Sequence, residues 1–595
     1  MQRNDYLIKR KFYTYLLPAV MMAAAMQLGN LVDSILVGNF LGPSALSAMN
    51  LGMPVVFIAQ VPLMIFMSGG AAVCSISLGN RDKKQADAIL SSVMVVALII
   101  NLVFCAIGLL GAEPIAELLS DGGSLAEDTT DFIRVYLAGM PILGLGMILA
   151  AFMGVDNHPG ESAALHVTAN VVNLLLDVVF IKAFDMGVFG AALSTVAGYA
   201  VALVIFGILY LRSKKRMLVF VLSGVRAGLS SFGAIFKTGL SQGMLVVMNA
   251  LQLFVLNAGI LAVTGEDGMA IYAVVTNSRF LVQLVLNGMV MVIPNIAGVL
   301  LGEKDYYGIR RLLGRVVRIS LIAGAALTVF FLIAPSVVSA LFGFNIAELQ
   351  GLMETCLRIY AISFVFYAMN LTIQYYYSTL QRPLLANLDT VLQGLVVLIP
   401  VTLLLIRPCG VAGTSIGAVI AEVAAFGIVT LLRVIFQKKG RLPGKDMAAL
   451  PEAPEGRFVD VTIRDTKEEA ASLAHALIAY CEEEKIDRSA ANAIAVSAEE
   501  LVANISDYGF KETGRSYIDV CLSRWDDTLI LRIRDDGTFF NPLNYEREKA
   551  DDLDISGLEV VKALADRLEY TRVLNMNNTV VEVSLTSFGR EAASC

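Results

Sequence analysis

Apolar residues dominate the first 440 positions in long blocks broken by short polar loops. The blocks lie near 13–38, 45–68, 88–110, 131–153, 161–181, 187–211, 232–262, 269–300, 316–342, 355–379, 384–406 and 411–436. A bilayer core takes roughly 20 apolar residues as one helical crossing, so the pattern predicts twelve membrane helices. Beyond Arg433 the period changes. Residues 458–463 alternate like a strand, 467–484 and 488–508 carry helical amphipathicity, and 517–522 and 529–534 alternate again. A helix over 557–567 and a last strand over 579–585 complete the tail. The expected architecture is an all-α polytopic membrane part followed by an α+β sandwich domain.

Charge orients the helices. Arg3, Lys9, Arg10 and Lys11, the 81–84 loop, the 212–237 segment, the 304–318 segment and Arg382 supply the basic residues of one side, whereas the opposite loops offer only Lys182 and Arg407. The positive-inside bias makes the basic side cytoplasmic, and an even number of crossings places both termini there, in a multi-pass protein of the cytoplasmic membrane. No small-residue cleavage signature precedes the first block, so the first helix is expected to serve as its own insertion signal.

Composition adds a few exclusions. A mean hydropathy of +0.69 is too apolar for an ordinary soluble globule. The net charge of −7 conceals basic loops and an acidic tail, so it gives no reason to expect a nucleic-acid partner; the lipid bilayer is the expected one. The seven cysteines show no ligand-like spacing and there are only three histidines, which predicts free thiols and no metal site made of those residues.

The membrane part repeats itself. Leu78-Gly79-x-x-Asp82 recurs as Leu301-Gly302-x-x-Asp305, Arg134-Val135-Tyr136 as Arg358-Ile359-Tyr360, Pro159 as Pro383, and Gly187-x-x-Gly190 as Gly410-x-x-Gly413. One nearly constant offset across these matches predicts two six-helix bundles, residues 1–220 and 221–437, related by an axis along the membrane normal with a cleft between them. A linker at 438–456 and a soluble domain at 457–595 follow.

Ionisable groups deep in a bilayer are costly, and functional by default. Asp33 has apolar neighbours on both sides, and Asn173 and Asp177, four apart, share one face of the fifth helix. Two nearby carboxylates in a low-dielectric cleft raise one another's pKa, as a proton-coupling site needs. Alternatively, Asp33 and Asp177 cap the outer ends of their helices. Arg279, Asp389 and Glu422 are secondary intramembrane polar candidates, either transport groups or satisfied structural ones, with Arg279 a partner for one of the acids. Pro18 removes a backbone hydrogen bond and is a candidate hinge in the first helix. Tyr375-Tyr376-Tyr377 reads as an interfacial aromatic belt or a cation-stacking surface.

Pro18, LVDSILVGNFLGPSALSAMNLGMP (31–54), SGGAAVCSISLGNRDKKQADAI (68–89) and NVVNLLLDVVFIKAFDMGVFGAALST (170–195) resemble the multidrug and toxin extrusion (MATE) family across nearly all of the membrane part. The resemblance implies an antiporter that exports organic cations or related amphipathic compounds in exchange for protons or sodium ions, with Asp33, Asn173 and Asp177 as the coupling site. A carboxylate cage for sodium is not evident in the second half, whose seventh and eighth helices carry no acid in the apolar run.

In the tail, AVSAEELVANISDYG (495–509), RIRDDGTFFNP (532–542) and ISGLEVVKALAD (555–566) resemble the GHKL ATPase superfamily, nearest the anti-sigma-factor serine kinases. That resemblance implies Mg-ATP binding: Glu500 as the catalytic acid or base, Asn504 as the magnesium anchor through ATP, Asp535 as acceptor for the adenine amino group, and Gly537 and Gly557 as close-approach positions of the nucleotide loops. Ile555 stands where a lid glycine is expected, and Tyr508 replaces a usual histidine. The absence of a phosphoacceptor-histidine helix argues against a complete histidine kinase, and the absence of a GxxxxGK[ST] run argues against a P-loop motor. The leading expectation is an ion-gradient-coupled exporter rather than an enzyme, its ATP-site domain regulating it or signalling to a cytoplasmic regulatory protein. The alternative is a membrane sensor whose transporter-like part controls a serine/threonine-kinase-like output domain.

Overall fold

The computed structural model describes residues 3–41, 43–120, 125–213, 216–341, 347–451, 459–510, 516–525, 527–539, 541, 543 and 557–585, with some side chains in the first, second and eighth helices, including that of Asp33, outside the described ones. The chain divides into two compact units. One comprises Phe12–Ala449; the other combines Met1–Lys11 with Leu450–Cys595.

The larger unit is helical throughout: α1 (Tyr6–Phe40, shared with the smaller unit), α2 (Pro43–Gly79), α3 (Lys83–Ser120), α4 (Ala126–Val155), α5 (Pro159–Asp177), α6 (Gly187–Arg212), the short α7 (Val225–Gly228), α8 (Phe232–Val290), α9 (Val292–Gly302), α10 (Tyr306–Ile333), the short α11 (Pro335–Leu341), α12 (Gln350–Ala361), α13 (Ser363–Thr379), α14 (Pro383–Val391), α15 (Leu398–Cys409) and α16 (Ala412–Lys438). Among the described residues ten spans are long and apolar enough to cross a membrane. The other two expected crossings fall on α1 and on α8 before Gly265, where φ is +66° and the helix is kinked. Only glycine takes that backbone without penalty.

The repeat seen in the sequence reappears in the backbone. Arg81 and Lys304 both have positive φ (65° and 57°), as do Asn157 and Gln381 (64° and 55°) and Gly187 and Gly410 (57° each). Asp82 and Asp305 accept from backbone amides three residues on, Gln85 N–H at 2.9 Å and Gly308 N–H at 2.8 Å, and so cap the next helices. The glycine of each Leu-Gly motif lies at the crossing of α2 with α9. A β-carbon on Gly79 would overlap the Val299 carbonyl, and one on Gly302 the Ile76 carbonyl. The two motifs therefore meet each other, and glycine is required because backbone touches backbone.

The smaller unit holds a five-stranded antiparallel sheet in the order β1-β2-β3-β5-β4: β1 Val459–Arg464, β2 Tyr517–Trp525, β3 Thr528–Asp535, β4 Arg567–Val573 and β5 Met576–Ser584. α17 (Lys467–Glu483), α18 (Arg488–Asn504) and α19 (Gly557–Leu564) supply helical residues to the core beside the sheet. Val461, Ile463, Ile518, Val520, Leu531 and Ile533 meet Leu473, Leu477, Ile494 and Leu501 there. β4 was not anticipated from sequence, which extends the preceding helix to 567; RLEYTRV has polar residues at most positions and gains strand geometry by pairing with β5. Thr466 and Asp487 cap α17 and α18.

Candidate functional site

Within the membrane unit, α5 and α6 build a polar cluster. α6 comes close to α5 at Gly198, where a β-carbon would overlap the Ala169 carbonyl and crowd Asn173. Asn173 and Asp177 are both buried. The Asn173 amide donates to Ser194 Oγ at 3.0 Å, to Thr195 Oγ1 at 3.3 Å and to Asp177 Oδ2 at 3.4 Å, while the Ser194 hydroxyl donates to Asp177 Oδ1. The shared helical face predicted for Asn173 and Asp177 is therefore real. Asp177, the last residue of α5, is buried and bound by side chains of α5 and α6. Ser194 and Thr195 escaped sequence reasoning, although two adjacent hydroxyls in an apolar helix were a signal. Asp33 lies on α1, but its side chain is outside the described residues, and α1 is helical through Pro18.

The second-half candidates are buried but differently arranged. Arg279 lies over the Tyr367 ring, 5.0 Å from its centroid, and interacts electrostatically with Glu422. Glu422 accepts from Asn370 at 2.8 Å, and Asp389 accepts from Gln393 at 2.9 Å. Asn370, on α13, ties that helix to α16 through its bond to Glu422. Two members of the tyrosine cluster hold backbone of the following linker, since Tyr376 donates to the Ala448 carbonyl at 2.9 Å and Tyr377 to the Met447 carbonyl at 2.8 Å. Arg433 Nη1 and Gln437 Nε2 donate to the Asp446 carbonyl, and Arg310 pairs with the Asp446 carboxylate at 2.8 Å. The first part of the linker is thereby fixed to this unit, whereas residues 452–456 lie outside the described ones.

In the smaller unit, α18 carries Glu500 and Asn504 one turn apart, with the Asn504 amide donating to the Glu500 carbonyl at 2.7 Å. Gly557 begins α19 directly against Glu500, since a β-carbon there would overlap the Glu500 carboxylate. Asp535 ends β3 and is buried; its Oδ1 accepts from Gly537 N–H and from Asn577 Nδ2, each at 2.8 Å. Burial raises this carboxyl to about 6, against the lowering effect of those two donors. Gly537 also passes close to the Gly509 carbonyl, which accepts from Thr538 N–H at 2.7 Å, so the end of α18's π turn is joined to the end of β3. Asn577 on β5 is a site residue that sequence reasoning missed, because only the β3–β5 pairing brings it to Asp535. Ile555 lies outside the described residues.

The larger unit is thus a bundle of membrane-length helices with a buried acid–amide–hydroxyl cluster, and the smaller is a helix-backed antiparallel sheet with a helix-borne acid and amide and a buried strand-end aspartate. Residues 18–179 match the MatE family, and residues 463–585 match the histidine kinase-like ATPase domain. The chain is 26% identical over 401 residues to the multidrug export protein MepA of Staphylococcus saprophyticus, covering 66% of this chain and 88% of that protein. MepA of Staphylococcus aureus is 25% identical over 253 residues, covering 42% of this chain and 56% of that protein. A crystal structure of MATE in complex with MaL6 superposes with TM-score 0.68 at 20% identity, covering 73% of this chain and 97% of that one. A MOP superfamily transporter from Pyrococcus furiosus gives 0.66 at 21%, covering 72% and 97%. The membrane part of the chain thus carries a MatE domain in a MATE transporter fold, and a histidine kinase-like ATPase domain follows in its C-terminal part.

Proposed function

We propose that the chain is a multidrug exporter of the cytoplasmic membrane, exchanging organic cations or related amphipathic compounds for protons or sodium ions, with both termini cytoplasmic. The observation that carries this reading is the buried Asp177, held by Asn173 and Ser194 on adjoining helices. A carboxylate in low dielectric gains or loses a proton or cation only with a change in its hydrogen-bond partners. Asp33 on α1 is the second acid of this coupling site, and Pro18 lets α1 respond to its occupancy. Substrate passes through the cleft between the bundles 1–220 and 221–437. Arg279, Asp389 and Glu422 belong to the second bundle's interior.

The C-terminal domain binds Mg-ATP and regulates export. Asp535 receives the adenine amino group, Asn504 holds magnesium through the phosphates, and Glu500 stands where it could orient a water or a hydroxyl. Export itself runs on the ion gradient. In proteoliposomes of the full chain, an imposed proton or sodium gradient should drive uptake of an organic cation without ATP; uptake that needs ATP and ignores both gradients would refute the antiporter reading.

A further inference from the structure

The N-terminal segment belongs to the same compact unit as the ATPase-like domain. Asp460 and Thr462 of β1 and Tyr517 and Asp519 of β2 alternate with the core residues Val461, Ile463, Ile518 and Val520, so they point to the sheet face away from the helices. Residues 3–6 meet this outer face. Arg3 Nη1 lies 2.9 Å from Asp460 Oδ2, and its Nη2 lies 3.7 Å from Asp519 Oδ2. Asn4 N–H donates to Thr462 Oγ1 at 3.0 Å, while its side chain accepts from Tyr6 N–H at 2.9 Å. The Tyr6 and Tyr517 rings stand 4.7 Å apart. Further along, Arg10 Nη1 lies 2.8 Å from Asp536 Oδ2, and Lys11 Nζ donates to the Asn575 carbonyl at 2.9 Å and stands 3.9 Å from Asp536 Oδ2.

We propose that residues 3–11 are a clasp, a segment of the chain that seats in cis on the ATPase-like sheet and couples its base-binding corner to the first membrane helix. The positive-inside bias assigns Arg3, Arg10 and Lys11 only to a side of the membrane; here each faces a carboxylate of the domain. The position of the second grip gives it meaning. Asp536 follows the base acceptor Asp535, and Asn575 lies two residues before Asn577, which holds Asp535 Oδ1. Arg10 and Lys11 therefore grip both segments that shape the acceptor, and they do so from within α1, one helix from Tyr6 to Phe40 that also carries Pro18 and Asp33. By linkage, a nucleotide that orders this corner tightens the clasp, and loss of the clasp weakens the nucleotide by the same factor.

The coupling half of this proposal rests on the nucleotide reading above; the clasp itself does not. In the full chain in lipid nanodiscs, with Cys521→Ser to avoid mispairing, Asn4→Cys and Thr462→Cys should form an intramolecular disulfide under mild oxidation. Folded, monodisperse protein that fails to crosslink overturns the clasp. Arg10→Gln with Lys11→Gln should then weaken binding of a non-hydrolysable Mg-ATP analogue at least about fivefold, and the analogue should slow tryptic cleavage after Arg10 and Lys11 in the unsubstituted chain. Equal affinity and unchanged cleavage would overturn the coupling. An unsubstituted chain that binds no analogue removes the coupling together with the nucleotide reading, while the disulfide still decides the clasp.

Discussion

Asn577 donates through its side-chain amide to Asp535 Oδ1 over 2.8 Å, from β5 to the end of β3. A hydrogen bond to a buried carboxylate is worth more than one between neutral groups. Asn577→Ala should weaken Mg-ATP binding roughly tenfold and push the Asp535 carboxyl above its value of about 6. Calorimetry across pH on the full chain checks both, and unchanged affinity would dissociate Asn577 from the site.

The same carboxyl sets the pH dependence of binding. Burial has raised it from 3.8, so the ionised acceptor is present above about pH 6 and is lost as pH falls through that value. A bound adenine amino group favours the ionised form, hence affinity should rise by up to about tenfold per pH unit below 6 and level off above it. A flat profile between pH 5 and 8 would place the base elsewhere.

Gly557→Ala should cost the nucleotide site more than one methyl group ordinarily does. The added carbon overlaps the Glu500 carboxylate, which must swing away from the face it shares with Asn504. Mg-ATP affinity or turnover should drop at least about tenfold, since misplacing a catalytic group by about 1 Å has effects of that size. Wild-type binding and turnover in this variant would show that Glu500 moves freely.

Transport should depend on Asp177 through its charge. Asp177→Asn keeps the volume and a hydrogen-bonding side chain for Asn173 and Ser194, so folding and insertion should persist while gradient-driven uptake falls by an order of magnitude or more. Asp33→Asn should act alike, and the double variant no worse than the stronger single one, because coupled groups lose function as a unit. Full uptake in the double variant would transfer the coupling role to Asp389 or Glu422.

The crossing of α2 and α9 should be intolerant of bulk. Gly79→Val presses a branched side chain against the Val299 carbonyl, and overpacking of this kind costs about 1–3 kcal/mol. Thermal unfolding in detergent should occur several degrees lower, with Gly302→Val behaving alike as its repeat equivalent. Two variants as stable as the parent would mean that the crossing loosens without cost.

The sequence alone determined the local and periodic features. Twenty-residue apolar blocks fix helices by the thickness of a bilayer, and the offset repeat was legible in the motifs themselves, whereas the paired left-handed positions Arg81/Lys304 and Asn157/Gln381 came only with the structure. Asn173 with Asp177, and Glu500 with Asn504, were legible because a four-residue spacing on a helix is itself a geometry. Contacts between distant segments had no such signature. Asn577 reaches Asp535 only through strand order, Ser194 reaches Asp177 only where Gly198 lets two helices close, and Tyr376 meets the Ala448 carbonyl across a long stretch of chain. The N-terminal basic residues show the limit most plainly: charge bias predicts their side of the membrane, but whether a cation meets a phosphate or a carboxylate depends on which surface folding brings to it.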